Sequence, residues 1–471
     1  VSMTESENFD IAIIGSGPGG YVAAIRAAQL NMKVAVIENK DLGGVCLNWG
    51  CIPTKSLLRT SEIFDYLKKS ETFGINTQNP SFNTSLIIKR SRNIAKELSE
   101  GISYLFKKNK ITLIKGRAKL NKDKDILVAN ESEFKKSLHA DKIIIATGAS
   151  PRKLPFIIKP DKRIWDYMSA MTPKKIPKRL GIIGSGAIGL EFASFYNSLG
   201  SEVSVFEIEA RILPNEDAEI SKTLENSLEK KGINFYKNAE VKGIKNEKNI
   251  TLNYLNLLEN KEKNIHFDNL LVAIGVEANT ADIGLEHTDV RLKNSNIITH
   301  QAGATDDSKI YAIGDVAGGP WLAHKASHEG IICIEKIAGI NRKTNKISSN
   351  HVPSCIYCSP QVASIGLTEE KAKEKFSNIR VGKFPLSANG KALSLSENEG
   401  FVKTIFDTTT GELLGAHLIG AEVTELINSF ALAIKLEATE EDIIETIFPH
   451  PTISESIQES VLNAFDKSIH I

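Results

Sequence analysis

The stretch FDIAIIGSGPGGYVAAIRAAQL, Phe9 to Leu30, reads as a buried strand, a glycine turn and a helix, and the strand KVAVIE follows it to Glu38. Gly15, Gly17 and Gly20 have the spacing of a dinucleotide-binding turn. The first glycine permits the tight turn, the second lets a pyrophosphate approach the backbone, and the third lets helix pack on strand. The helix N-terminus then faces the phosphates, and a carboxylate ending the second strand accepts from ribose hydroxyls. A single turn of this kind is a weak signal.

The chain contains the unit twice. LGIIGSGAIGLEFASFYNSLGSEVSVFE, Leu180 to Glu207, places Gly184, Gly186, Gly189 and Glu207 at a uniform displacement of 169 residues from Gly15, Gly17, Gly20 and Glu38. Each third glycine has its acidic residue 18 positions on. Two matching units in one register are hard to read as glycine turns that bind nothing. Glu207 also selects between nicotinamide cofactors: a carboxylate there repels the 2′-phosphate of NADP, so the second unit reads as an NAD site, with Arg211 four residues further on.

Between the units, GGVCLNWGCIPTK carries Cys46 and Cys51, five positions apart. In a regular helix such residues have Cα atoms roughly 8.6 Å apart, whereas a disulfide needs about 4.4 to 6.8 Å. Plain helix is therefore excluded, and a bent loop over 43–52 running into a helix over 53–68 is expected, with Gly50 relaxing the backbone and Pro53 in the first turn. Cys51 then lies at a helix N-terminus, where the dipole favours a thiolate and hence a reversible thiol–disulfide couple. Two packed thiols that never pair are the alternative, which the flanking nucleotide motifs disfavour.

At 471 residues the chain needs two to four domains. With 58 Lys plus Arg against 57 Asp plus Glu the formal charge is +1, which argues against nucleic acid or an anionic membrane as partner. Five cysteines in so long a chain are no secreted disulfide framework, so a reducing compartment is expected. VSMTESENFD shows no targeting signal, Val1 and Ser2 ahead of Met3 read as an added remnant, and no apolar run suggests membrane insertion. The expected localisation is cytoplasmic, or the mitochondrial matrix if a transit peptide has been removed. Cys355 and Cys358 form a CxxC in VPSCIYCSPQVASIG, but no second pair completes a metal site and the segment reads as a strand, so packed cysteines are expected and no metal; Cys333 reads as core.

From Phe9 to Ser460 these residues resemble the pyridine nucleotide-disulfide oxidoreductases, a family of flavoenzymes. Besides the glycine motifs and GGVCLNWGCIPTK, the matching segments are IIIATGAS (143–150), IYAIGDVAGGPWLAHKASHEG (310–330) and FPHPTISE (448–455). The resemblance implies an α/β fold with two doubly wound, Rossmann-like domains for FAD and NAD, plus an α+β C-terminal dimerisation domain. The expected divisions are 1–150 for FAD, 151–278 for NAD, 279–350 returning to the FAD side, and 351–471 for dimerisation. It implies FAD contacts from Gly15, Gly17, Pro18, Gly20, Glu38, Lys55, Gly116, Thr147, Gly148, Asp315 and Ala323, and NAD contacts from Gly184, Gly186, Ile188, Gly189, Glu207, Val241 and Gly275. Lys55 is expected to pair with Glu191 beside the flavin. His450, oriented by Glu455, is the expected base, acting on the disulfide of the other subunit of a homodimer.

The implied reaction oxidises a dithiol, dihydrolipoamide on the lipoyl domain of an acyltransferase subunit in a 2-oxo-acid dehydrogenase complex, and reduces NAD. Cys46 would exchange with substrate and Cys51 would face the flavin. Two departures stand out: Gly275 to Asn279 reads GVEAN where the family often has Gly-Arg-x-Pro-Asn, and Phe448 replaces a common His. A glutathione-type reductase would want Arg where Glu207 stands, a mercuric-type one a C-terminal cysteine pair that DKSIHI lacks. A silent structural flavoprotein would tolerate loss of a cysteine or of His450, and all are present.

Overall fold

The computed structural model describes residues 7–130, 133–157, 160–246, 249–342, 344–345 and 347–471. Val1, Ser2 and Met3 lie outside them. The chain forms two compact units: residues up to Ser56 with Ser85–Arg152 and Gly275–Ile347, and Leu57–Thr84 with Lys153–Ile274 and Ser348–Ile471.

In the first unit, β1 (Glu7–Ile14) leads into α1 (Pro18–Gln29) and β2 (Val34–Glu38). The strand Thr112–Lys115, β2, β1 and Glu133–Ile145 lie side by side and parallel, and Ile310–Ala312 pairs parallel with the last of them. Ile126–Asn130 and Arg117–Leu120 continue the sheet antiparallel. Ile11 to Ile14 are buried on both faces, as a central parallel strand requires. Ala23, Ala24 and Ala27 are fully buried, so α1 packs close. A Cβ on Gly330 of the helix Ala323–Ile337 would stand 2.7 Å from Gly19 O, so small residues let that helix cross α1. The cysteine segment forms two helices, α2 (Gly44–Trp49) and α3 (Cys51–Lys68).

The second unit holds the repeat: β3 (Arg179–Ile183), α4 (Ala187–Ser198) and β4 (Glu202–Phe206), in a five-stranded parallel sheet with Asn234–Tyr236, Asn269–Val272 and Ile164–Trp165. α5 (Ala218–Lys230) follows β4. The unit also contains an antiparallel five-stranded sheet in the order β5 (Ser354–Ile356), β6 (Gln361–Gly366), Leu413–Gly420, Phe401–Asp407 and Ile379–Pro385. Helices Val423–Lys435 and Glu455–Ala464 contribute Ile427, Phe430, Ile457 and Val461 to the core of that sheet. The run VPSCIYCSPQVASIG is a hairpin rather than one strand, because Pro360 cannot donate to a ladder and the chain turns between Ile356 and Gln361. Cys355 packs beside Thr424, and Cys358 is buried with its Sγ 3.2 Å from Pro360 O. Cys333 is core, and its burial pushes the thiol far up. No helix among the described residues is long and apolar enough to cross a membrane.

A buried charge cluster joins α5 to the antiparallel sheet. Lys403 is 1% exposed, and its Nζ lies 3.0 and 3.1 Å from the Asp217 carboxylate oxygens, 2.8 Å from Glu219 and 2.6 Å from Glu369. Asp217 also caps α5 and accepts from Glu369 N. Burial alone would raise the Glu219 and Glu369 carboxyls, but the lysines bonded to them hold both below the usual range. His417 is buried with Nε2 2.8 Å from Leu367 O and Nδ1 without a hydrogen-bond partner among the described residues, and burial lowers its pKa below 6.5.

Lys403→Met leaves three carboxylates facing one another and is expected to cost about 3–5 kcal/mol in chemical denaturation. His417 titrates low when folded, so the stability it contributes is complete above pH 6.5 and is lost as pH falls toward the folded value. Tm is expected to decline on acidification below pH 6.5, and His417→Gln to flatten that decline. The Glu219 and Glu369 contribution is lost only below the ordinary glutamate value of 4.5.

Candidate functional site

The two glycine turns are built alike. Gly15 has φ +104° and Gly184 φ +101°, and a Cβ on either would overlap a backbone carbonyl oxygen, that of Ala146 or Ala273. A Cβ on Gly20 or Gly189 would overlap the Gly15 or Gly184 oxygen, where helix packs on strand. Gly17 and Gly186 differ: their φ/ψ of −63°/−177° and −74°/−177° suit any residue, and a Cβ on either would meet nothing within 4 Å among the described residues. Neither strain nor packing in the chain calls for glycine there, whereas close approach of a ligand does. Neither α1 nor α4 has a side-chain N-cap, so the first-turn N–H groups suit an anion. Pro18 opens α1, and Ile188, 37% exposed, lies in the first turn of α4.

A serine inside each turn holds the strand-end carboxylate, a residue that sequence reading passed over although Gly-Ser-Gly recurs in both units. Ser16 N and Oγ donate to Glu38 Oε2 at 2.9 and 2.6 Å. Ser185 N and Oγ donate to Glu207 Oε2 at 3.0 and 2.6 Å. Lys40 N and Glu209 N donate to the other oxygens. Both carboxylates are thus pinned beside their glycine turns, which fits a dinucleotide in each. Val241 instead packs with the Phe206 and Tyr254 cluster, and Gly275, at φ +99°, accepts from Arg152 N at 3.0 Å.

The expected bent loop at the cysteines is a short helix followed by a break at one residue, Gly50 (φ −141°, ψ −117°). This break brings the Cα atoms of Cys46 and Cys51 to 4.8 Å, and the two are disulfide-bonded. A Cβ on Gly50 would lie 3.1 Å from Val45 O and 3.2 Å from Cys46 Cα, so α2 folds back tightly onto this residue. Buried Asn48 holds α2 through Nδ2 bonds to Leu42 O and Gly44 O, both 3.0 Å, and accepts from Ser99 Oγ. Arg92 stacks over Trp49, its guanidinium carbon 4.0 Å from the ring centroid. Cys51 opens α3, Thr54 bonds back to Gly50 O, and Lys55 follows one turn after Cys51. Ser16 Oγ also accepts from Gly43 N at 3.2 Å, so the first glycine turn and the cysteine segment share a residue.

Around the first turn, Gly116 N donates to Glu38 O at 2.9 Å. Thr147 and Gly148 are clasped by Asn279, whose N bonds Gly148 O, whose Nδ2 bonds Thr147 O and whose O accepts from Thr147 Oγ1. Asp315 sits in the turn after the strand Ile310–Ala312, where burial raises its carboxyl; among the described residues no side-chain hydrogen bond to it is formed. An acceptor so placed fits a ligand hydroxyl. Glu329 Oε2 accepts from Gly314 N at 2.8 Å and steadies that turn. Ala323 begins its helix without a side-chain cap.

In the second unit, His450 is 78% exposed, and its Nδ1 lies 2.8 Å from Glu455 Oε1. The ionised carboxylate only accepts, so Nδ1 carries the proton and Nε2 is left to take one. Burial pushes the Glu455 carboxyl up, but the bonds from Thr452 N and His450 outweigh it and hold it low. Phe448, in place of a second histidine, packs against the core. Glu191, 5% exposed on α4, accepts from Tyr357 N at 3.0 Å through Oε1.

Residues 9–330 match the pyridine nucleotide-disulphide oxidoreductase family, and 352–461 match its dimerisation domain. The chain belongs to this family. Membership carries the use of FAD and NAD(H), in keeping with the two glycine turns. Similar proteins include dihydrolipoyl dehydrogenases of Rhizobium etli, 46% identical over 99% of this chain and 100% of that one, and of Bacillus subtilis, 41% identical over 98% and 99%. Among solved structures, LpdA from Mycobacterium tuberculosis superposes with a TM-score of 0.89 at 26% identity over 97% of this chain and 99% of that one.

Because Gly17 and Gly186 matter only toward a ligand, Gly17→Val is expected to leave the apo-protein's Tm nearly unchanged while abolishing FAD retention. Gly186→Val is expected to keep FAD and weaken NADH binding by about tenfold or more, equivalent to about 1.4 kcal/mol, measured by fluorescence titration.

Proposed function

We propose that this chain oxidises dihydrolipoamide, carried on a lipoyl domain, and passes the electron pair to NAD. The observation that carries this reading is the Cys46–Cys51 disulfide at the start of α3, in a chain 46% identical end to end with dihydrolipoyl dehydrogenases.

His450 Nε2 takes a proton from one substrate thiol, with the ring held by Glu455. The thiolate attacks Cys46 Sγ, the Cys46–Cys51 bond breaks, and Cys51 leaves as a thiolate stabilised at the helix N-terminus. The second substrate thiol displaces Cys46, whose sulfur takes up that thiol's proton, and the substrate disulfide closes. Two electrons thereby pass from the dithiol to the cysteine pair. Bound FAD supplies the conversion of thiol chemistry into hydride chemistry toward NAD. In this reading Glu38, Gly116, Thr147, Gly148, Asp315 and Ala323 hold FAD, Glu207 selects NAD, and Lys55 and Glu191 supply charges beside the flavin.

The working form in this reading is a homodimer, with His450 acting on the partner's disulfide. Leu432, Leu436 and Ile447 are 60%, 70% and 94% exposed within the dimerisation region and are apolar surface for it to bury. The proposed setting is a 2-oxo-acid dehydrogenase complex in a reducing compartment such as the cytoplasm.

The test is anaerobic turnover with dihydrolipoamide and NAD, run beside oxidised glutathione with NADPH. Rapid NAD reduction with dihydrolipoamide alone is expected, and activity confined to glutathione would overturn the reading. Cys46→Ser and Cys51→Ser are expected to abolish turnover with FAD retained, and His450→Gln to slow it by about 10²–10⁴-fold.

A further inference from the structure

The hairpin connecting β5 to β6 carries the CxxC motif, which the mechanism does not use, and its turn is fastened to α4. Tyr357 N donates to Glu191 Oε1 at 3.0 Å, and Ser359 N donates to Ser194 Oγ at 3.3 Å. Glu191 and Ser194 are three residues apart and so share one face of α4. Both are buried, at 5% and 7% exposure. The two N–H groups come from alternate residues of the turn. From the end of α5, Lys231 Nζ donates to Ser359 O at 2.6 Å and to Ser359 Oγ at 2.9 Å, holding the same residue from its other side.

A buried carboxylate takes its direction from the donors around it, since turning away leaves the charge desolvated and a backbone N–H unpaired. We propose that the Tyr357–Ser359 turn is a strap that positions the Glu191 carboxylate, with Ser194 and Lys231 as the positioning residues that hold the strap. Cys355 packs beside Thr424 ahead of the turn, and buried Cys358 lies at its centre. This inference rests on the reading of Glu191 as a charge beside the flavin. The strap acts on the flavin only through the direction of that carboxylate, so its effect must vanish when the carboxylate is gone.

The experiment is a double-mutant cycle on the FAD-loaded full-length protein, reading the midpoint potential and visible absorption of the flavin together with Tm. Ser194→Ala and Lys231→Met are each expected to move the potential in the direction that Glu191→Gln moves it, and by less. Ser194→Thr, which keeps the hydroxyl, is expected to restore it. In the Glu191→Gln background neither strap variant is expected to add a shift. If Glu191→Gln moves the potential and both strap variants leave it in place, or if they move it equally in the Glu191→Gln background, the strap is overturned and the reading of Glu191 stands. If Glu191→Gln leaves the flavin unchanged, Glu191 is not beside it, and that assignment and the strap fall together. Turnover in the cysteine variants tests the dithiol reaction separately.

Discussion

Close approach of one stretch of backbone to another, where no Cβ fits, is the constraint on which this structure depends. At Gly15 and Gly20, as at Gly184 and Gly189, helix and strand meet so tightly that alanine would overlap a carbonyl oxygen. That contact leaves the helix N-terminus uncapped at the end of the sheet and puts Ser16 or Ser185 within reach of the carboxylate ending the next strand. In the first unit the same constraint reaches further. A Cβ on Gly44 would lie 2.6 Å from Gly17 Cα, and Gly43 N bonds Ser16 Oγ, so the cysteine segment is seated against the dinucleotide turn. The redox pair and the first nucleotide site are therefore one construction.

The second unit shows how charge does comparable work. Lys403 with three carboxylates, and Lys231 on the 357–359 turn, tie helices of the nucleotide-binding segment to the antiparallel sheet. Buried ion pairs add little net stability compared with apolar packing, but breaking one costs a great deal, so they penalise other arrangements of the same elements. That suits a segment required to hold Glu191 in a fixed direction.

Periodic and local features were legible from residue types alone. The 169-residue repeat, with its glycines and terminal Glu38 and Glu207, appears as two strand–turn–helix–strand units, because glycine placement there answers to local backbone geometry. The His450–Glu455 contact is legible because only four intervening residues keep the two groups within reach. The form of the cysteine segment was not: a loop was expected, and a six-residue helix closed by Gly50 is found, since helix α2 draws on Asn48, Ser99 and Arg92 rather than on its own propensity. In the sequence the hairpin at 354–366 looks like one strand, because an apolar run hides a turn until its partners are known.

The sequence by itself determined the two dinucleotide turns, the acidic residues beside them and a cysteine spacing able to pair, because each is a matter of backbone conformation or chemistry within a few residues; the fold family followed from the resemblance that the motifs carry. Only the tertiary structure decided where Glu191 points, why Lys403 is buried within a strand whose seven residues are all buried, and that Asn279 clasps Thr147 and Gly148. Those contacts join residues far apart in the chain, 186 positions in the case of Lys403 and Asp217. No local preference encodes such a distance, and the arrangement appears only when packing excludes water and each buried polar group must find its partner.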